Sequence, residues 1–112
     1  MSSDAELADA VATAAASVPG VTGLNAGRFG EVATYSAGRR VMGVRLHDHS
    51  GEVHVEVTLE RGVMDTAEDV RRAVEKVAGR PMTVVVEDVS IAEDVAPENV
   101  VSDGADAPVT GG

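Results

Sequence analysis

At 112 residues the chain is long enough for one compact domain and too short for two ordinary ones. Its 19 acids against nine bases give a formal charge of -10, which repels phosphate backbones and argues against a nucleic-acid partner. It has no cysteine, which excludes disulfides, thiol catalysis and cysteine-ligated metal centres, and no apolar run of membrane-spanning length or secretory leader is legible.

A first helix is expected through SSDAELADAVATAAASVPG, with Ser3 or Asp4 as its cap and Ser3 and Glu6 at capping-box spacing. Leu7, Ala10, Val11, Ala14 and Val18 recur at helical intervals, and Pro19-Gly20 ends the segment. Weaker strands follow around Val21 to Asn25 and Glu31 to Ser36, separated by the turn AGRFG, and Ser36 to Arg40 supplies another turn. Met42, Val44 and Leu46 then alternate with Gly43, Arg45 and His47. Val53, Val55, Val57 and Leu59 alternate with Glu52, His54, Glu56 and Thr58. The two runs predict a hairpin around DHSG, pairing His47 with Glu52, Leu46 with Val53 and Arg45 with His54.

A second helix is signed by Asp65 three residues before Glu68, by a face of Val70, Ala73, Val74 and Val77, and by Gly79 and Pro81 at its end. Arg71 and Arg72 stand at surface-pair spacing from Glu68 and Glu75. Beyond it, the unbroken Val84-Val85-Val86 predicts a strand that is central or covered on both faces. The composition then shifts: the stretch after Val89 carries five acids and no base, and Pro97 to Gly112 is expected to be disordered.

The apolar residues are mainly Ala and Val, with one Phe, one Tyr and no Trp, so the core must be thin and two layers suit it best. The expected fold is an α+β two-layer sandwich. Two helices pack on one face of a mostly antiparallel sheet of four to five strands, in the order α-β-β-β-β-α-β, over residues 1–89. Residues 90–112 form an acidic tail.

All three histidines fall within HDHSGEVH, His47 to His54. In the predicted register His47 and His54 share the outer face and His49 sits in the loop between them. Three such ligands can hold a metal with one position open, but nothing in the sequence supplies the supporting shell that fixes ligating histidines. The plainer reading is a polar outer face with Glu52, Glu56 and Arg45 nearby. The same acids suit a pH response, since neighbouring carboxylates raise a histidine pKa.

No other chemistry is signed. Gly20, Gly23, Gly27 and Gly30 match neither a dinucleotide nor a phosphate-binding loop, and no serine sits in a nucleophile elbow. The reading is of a protein that is not an enzyme and needs no cofactor. Arg28, Arg39, Arg40 and Arg45 gather in a segment whose only acid before Asp48 is Glu31. They are the candidates for contact with an acidic partner or an anionic surface.

Several of these stretches together resemble the bacterial alkaline shock protein family of envelope stress response proteins. They are the VxxAA helix ending in Val18-Pro19-Gly20-Val21, then Met42-Gly43-Val44, the alternation from Val53 to Leu59, and Arg61-Gly62. The helix through Val70 and Val77, Ala78-Gly79, and Val84-Val85-Val86-Glu87-Asp88-Val89 complete the set. The similarity spans roughly Glu6 to Val89. It implies a cytoplasmic, non-enzymatic α/β protein of cell-envelope homeostasis that works through a protein partner, in some members a membrane-anchored one, or through self-association. It implies no catalytic residues. The competing reading is a small ligand- or metal-binding module using His47, His49 and His54.

Overall fold

The computed structural model describes residues 4–36 and 38–91. In chain order they form α1 (Asp4–Ala16), β1 (Val21–Leu24), β2 (Ala33–Ser36), β3 (Arg39–Met42), β4 (Val44–Leu46), β5 (Gly51–Thr58), α2 (Val63–Ala78) and β6 (Met82–Ser90). The cap expected at Ser3 and the tail from Pro97 lie outside the described residues.

The α+β fold is the expected one, with β5 as its axis. β1 and β4 pair with β5 antiparallel, and β6 pairs with it in parallel over its whole length. A strand has two edges, so β4 and β1 divide one edge of β5 between them and β6 takes the other. β2 and β3 form a separate antiparallel hairpin. Five strands therefore precede α2, one more than expected. The difference lies at Gly43, whose φ of +84° breaks the predicted Met42-to-Leu46 strand in two. Residues Arg39–Met42, read partly as a turn, turn back on β2 instead.

One face of the sheet carries the core. Val44, Val53, Val55 and Val57 are fully buried there, against Ala5, Ala8, Val11 and Ala15 of α1 and Val70 and Val74 of α2. Each buried valine contributes roughly 1.5 kcal/mol or more relative to exposure. The alanines of α1 let its backbone lie close, so small side chains make up a thin core layer.

Both helical stripes are rotated from the sequence expectation. On α1 the buried positions are Ala5, Ala8, Val11 and Ala15, while Ala10 is exposed and Leu7 only half-buried. On α2 they are Thr66, Val70, Val74 and Ala78, and Val77 points partly to solvent. Alanine is too small for its position on a helix to declare a face, and the i, i+4 run that wins in α2 includes a threonine. The cap also differs: α2 begins at Val63 after Gly62, with Asp65 inside its first turn. Its end is as expected, Gly79 taking the left-handed conformation and donating its N–H to Glu75 O.

The β4–β5 register is Val44 with Val53, Arg45 with Glu52 and Leu46 with Gly51, two residues from the predicted one. Gly51 is drawn into the strand because its N–H donates to Pro81 O at 3.0 Å, and the loop becomes His47–Ser50, closed by His47 N–H to Ser50 O at 2.9 Å. A slip of two preserves which face each side chain occupies.

The larger correction concerns β6. Its valines were expected to lie centrally or be covered on both faces. β6 instead follows the α2 crossover onto the free edge of β5, and Val84, Val85 and Val86 are each only half-buried.

Candidate functional site

Two groups of polar and aromatic side chains stand outside the core. The first lies on the sheet face opposite the helices, where β5 places Glu52, His54 and Glu56. His54 faces Val85 of β6, and Glu87 of β6 sits where the register shifts, since Val55 pairs with Val86 but Glu56 with Asp88. The extra residue of that bulge re-aims a side chain. Glu87 comes to His54.

His54 is buried at 8% exposure, which corrects the expectation of a surface histidine. Its Nε2 donates to Glu52 Oε1 at 2.7 Å and its Nδ1 to Glu87 Oε2 at 2.5 Å. An ionised carboxylate only accepts, so the imidazolium form, with a proton on each ring nitrogen, is the one that satisfies both contacts. Burial works against that charge, but the two carboxylate bonds prevail and raise the His54 pKa above its ordinary value. The hydrogen bond from His54 in turn is the main cause that holds Glu52 below the usual carboxylate range.

Neighbours extend the network. Glu52 lies 3.9 Å from Arg45 and 3.7 Å from His47 Nε2. Arg45 also donates to the Glu31 carbonyl at 2.6 Å, and the Asn25 side-chain amide donates to Glu56 at 2.7 Å. The structure thus brings His47 and His54 to the two oxygens of one carboxylate. His49 stays exposed in the loop. Both ring nitrogens of His54 are engaged, so a metal there must displace a carboxylate bond, and among the described residues no group of three acids or histidines is arranged to hold an ion.

The second group surrounds the β2–β3 hairpin. The chain has one Phe and one Tyr, and both are outside: Phe29 is 85% exposed and Tyr35 68%. Arg40, opposite Tyr35 in the hairpin, links them. Its Nε donates to Tyr35 Oη at 3.0 Å, its Nη2 to Gly30 O at 3.0 Å, and its guanidinium lies 5.9 Å from the Tyr35 ring centroid, within reach of a cation–π contact. The Phe29 loop is itself held, because Gly30 N–H donates to Gly27 O at 3.1 Å and Phe29 N–H to the Glu31 carboxylate at 3.0 Å. Backbone donors from Glu31 itself and from Phe29 hold that carboxyl below its ordinary range.

The four candidate arginines separate accordingly. Arg28, beside Phe29, and Arg40 are exposed and have no carboxylate partner among the described residues. Arg39 is paired with Asp9 of α1. Arg45 is committed to Glu31 and Glu52. The exposed aromatics had escaped the sequence reading. A single Phe between Arg28 and Gly30 in a turn was the available signal, since an aromatic in a glycine turn has no period to place it in a core.

No protein-family model matches the chain, and no curated protein matches it. Among solved structures, a doubly substituted MamM CTD is similar over 94% of this chain and 98% of that chain, with 18% sequence identity and a TM-score of 0.47. A likeness at that level carries no functional argument. Among the described residues no helix is long and apolar enough to cross a membrane.

Proposed function

We propose that this chain is a non-enzymatic protein-binding or scaffolding module, acting in the cell-envelope stress response that its resemblance to the alkaline shock protein family implies. The observation that supports it is the exposure of Phe29 and Tyr35 beside Arg28 and Arg40. A chain this poor in aromatics gains most by burying them, and here the fold spends both on the surface while its core is made of valine and alanine. Tyrosine and arginine are also the residues that dominate binding energy at protein interfaces. On this reading the partner meets the β2–β3 hairpin and the Phe29 loop, works from the cytoplasm, and includes a membrane-anchored protein among its candidates.

The test is affinity capture from membrane and cytosolic fractions with the wild-type chain and with a Phe29→Ala, Tyr35→Ala, Arg40→Ala variant, followed by titration of the purified captured protein. A partner that binds wild type and loses at least about tenfold in affinity, or roughly 1.4 kcal/mol, with the folded variant supports the reading. Equal binding of both chains counts against this surface, and saturable zinc binding that disappears with His47→Ala and His54→Ala would favour the metal module instead.

A further inference from the structure

We propose that β6 is a self-association edge, through which two copies of this chain join their sheets by antiparallel β6–β6 pairing about a two-fold axis at Val85. β6 spans nine residues and pairs with β5 on one side only. Among the described residues no strand pairs with its other side. An unpaired strand edge presents a row of backbone donors and acceptors to any chain that can reach it, and monomeric proteins guard such edges with Lys, Pro, short strands or bulges. The stretch Met82–Ser90 holds no lysine, arginine or proline, and its one bulge lies at Glu87, beyond the valines. The opposite edge of the sheet is guarded: β4 has three residues and β1 four, with a register shift between Val21 and Gly23.

The occupant is specified by the side chains that would face one another. With the axis at Val85, Val84 meets Val86 of the second copy and Thr83 meets Glu87, so valines face valines and no two acids are opposed. Moving the axis toward Glu87 sets the acids against valines and then against each other. Moving it the other way shortens the paired run, because β6 begins at Met82. Pairing about a residue also keeps each side chain's face, so the α2 helices of both copies cover one side of a continuous sheet. β6 is then central, which is the setting an unbroken run of valines fits. Closed two-fold symmetry limits the assembly to a dimer.

Sedimentation equilibrium of the full chain tests the idea, with circular dichroism to confirm that each variant is folded. The wild type should form a dimer. Val85→Lys and Val85→Glu should each weaken it at least about tenfold, because like charges then meet at the axis, and an equimolar mixture of the two should restore it. Thr83→Lys, which alters an exposed residue facing Glu87 of the second copy, should tighten the dimer and provides the readout if the Val85 variants do not fold. A wild-type monomer at concentrations up to about 0.5 mM, weaker than any specific dimer of this kind, overturns the proposal. So does a dimer indifferent to Val85→Lys and Thr83→Lys, or a mixture no stronger than its separate components.

Discussion

His54 Nδ1 and Glu87 Oε2 stand 2.5 Å apart across the parallel pair of β5 and β6. This bond joins the central strand to the edge strand at the bulge, where ladder pairing is irregular. A side-chain bond therefore reinforces the place where the backbone is weakest.

Stability should follow the charge of this cluster. The folded-state pKa of His54 is raised above 6.5, so its contribution is complete below that value and is lost as pH rises through the raised one. That of Glu52 is lowered below 4.5, so its contribution is complete above that value and is lost as pH falls through the lowered one. The cluster therefore stabilises most between 4.5 and 6.5. Melting temperatures from about pH 4 to pH 9 should decline on the alkaline side in wild type, and Glu87→Gln should cost about 1 kcal/mol near pH 6 and flatten that decline. Identical alkaline limbs would mean that the bond to Glu87 does not hold the charge.

Thr66 is fully buried on α2, and its hydroxyl has no hydrogen-bond partner among the described residues. Thr66→Val keeps the shape and removes an unpaired polar group, so it should stabilise by about 1 kcal/mol. A rise in the urea midpoint with an unchanged m value is the expected result. A fall would show that the hydroxyl is bonded after all.

The rotated face of α2 makes a paired prediction. Val74 is fully buried and Val77 is 39% exposed. Val74→Ala should cost about 2 kcal/mol from lost transfer energy and a residual cavity, while Val77→Ala should change stability by less than about 0.5 kcal/mol. Denaturant unfolding of the two variants decides between the observed stripe and the one predicted from sequence.

Gly43 separates β3 from β4 at a φ of +84°, and a Cβ there would sit 2.9 Å from Leu24 Cβ. Gly43→Ala should therefore cost more than about 1 kcal/mol, from backbone strain and from pressure on β1 together. Its thermal midpoint should fall well below that of wild type. An unchanged midpoint would show that the break between the two strands is not conformationally required.

Phe29→Ala and Tyr35→Ala should leave the thermal midpoint close to that of wild type, since both rings are largely in solvent. A substantial loss of stability would assign the aromatics to the fold and remove the ground for reading them as a contact surface.

The two-residue alternation of Val53, Val55 and Val57 determined β5 and its buried side, and Gly79 with Pro81 determined the end of α2, because backbone period and left-handed φ are local properties. The sequence also placed His54 and Glu52 on the outer face of one strand. Only the tertiary structure decided what happens to them there. Glu87 lies 33 residues from His54, and whether the two meet depends on which edge of β5 receives β6 and on the bulge that turns Glu87 inward. The same choice of edge leaves Val84-Val85-Val86 open, although their composition suits a strand with two neighbours. Local pattern fixes how a segment is built; strand pairing across long loops fixes its neighbours, and those neighbours set burial and charge at the candidate site.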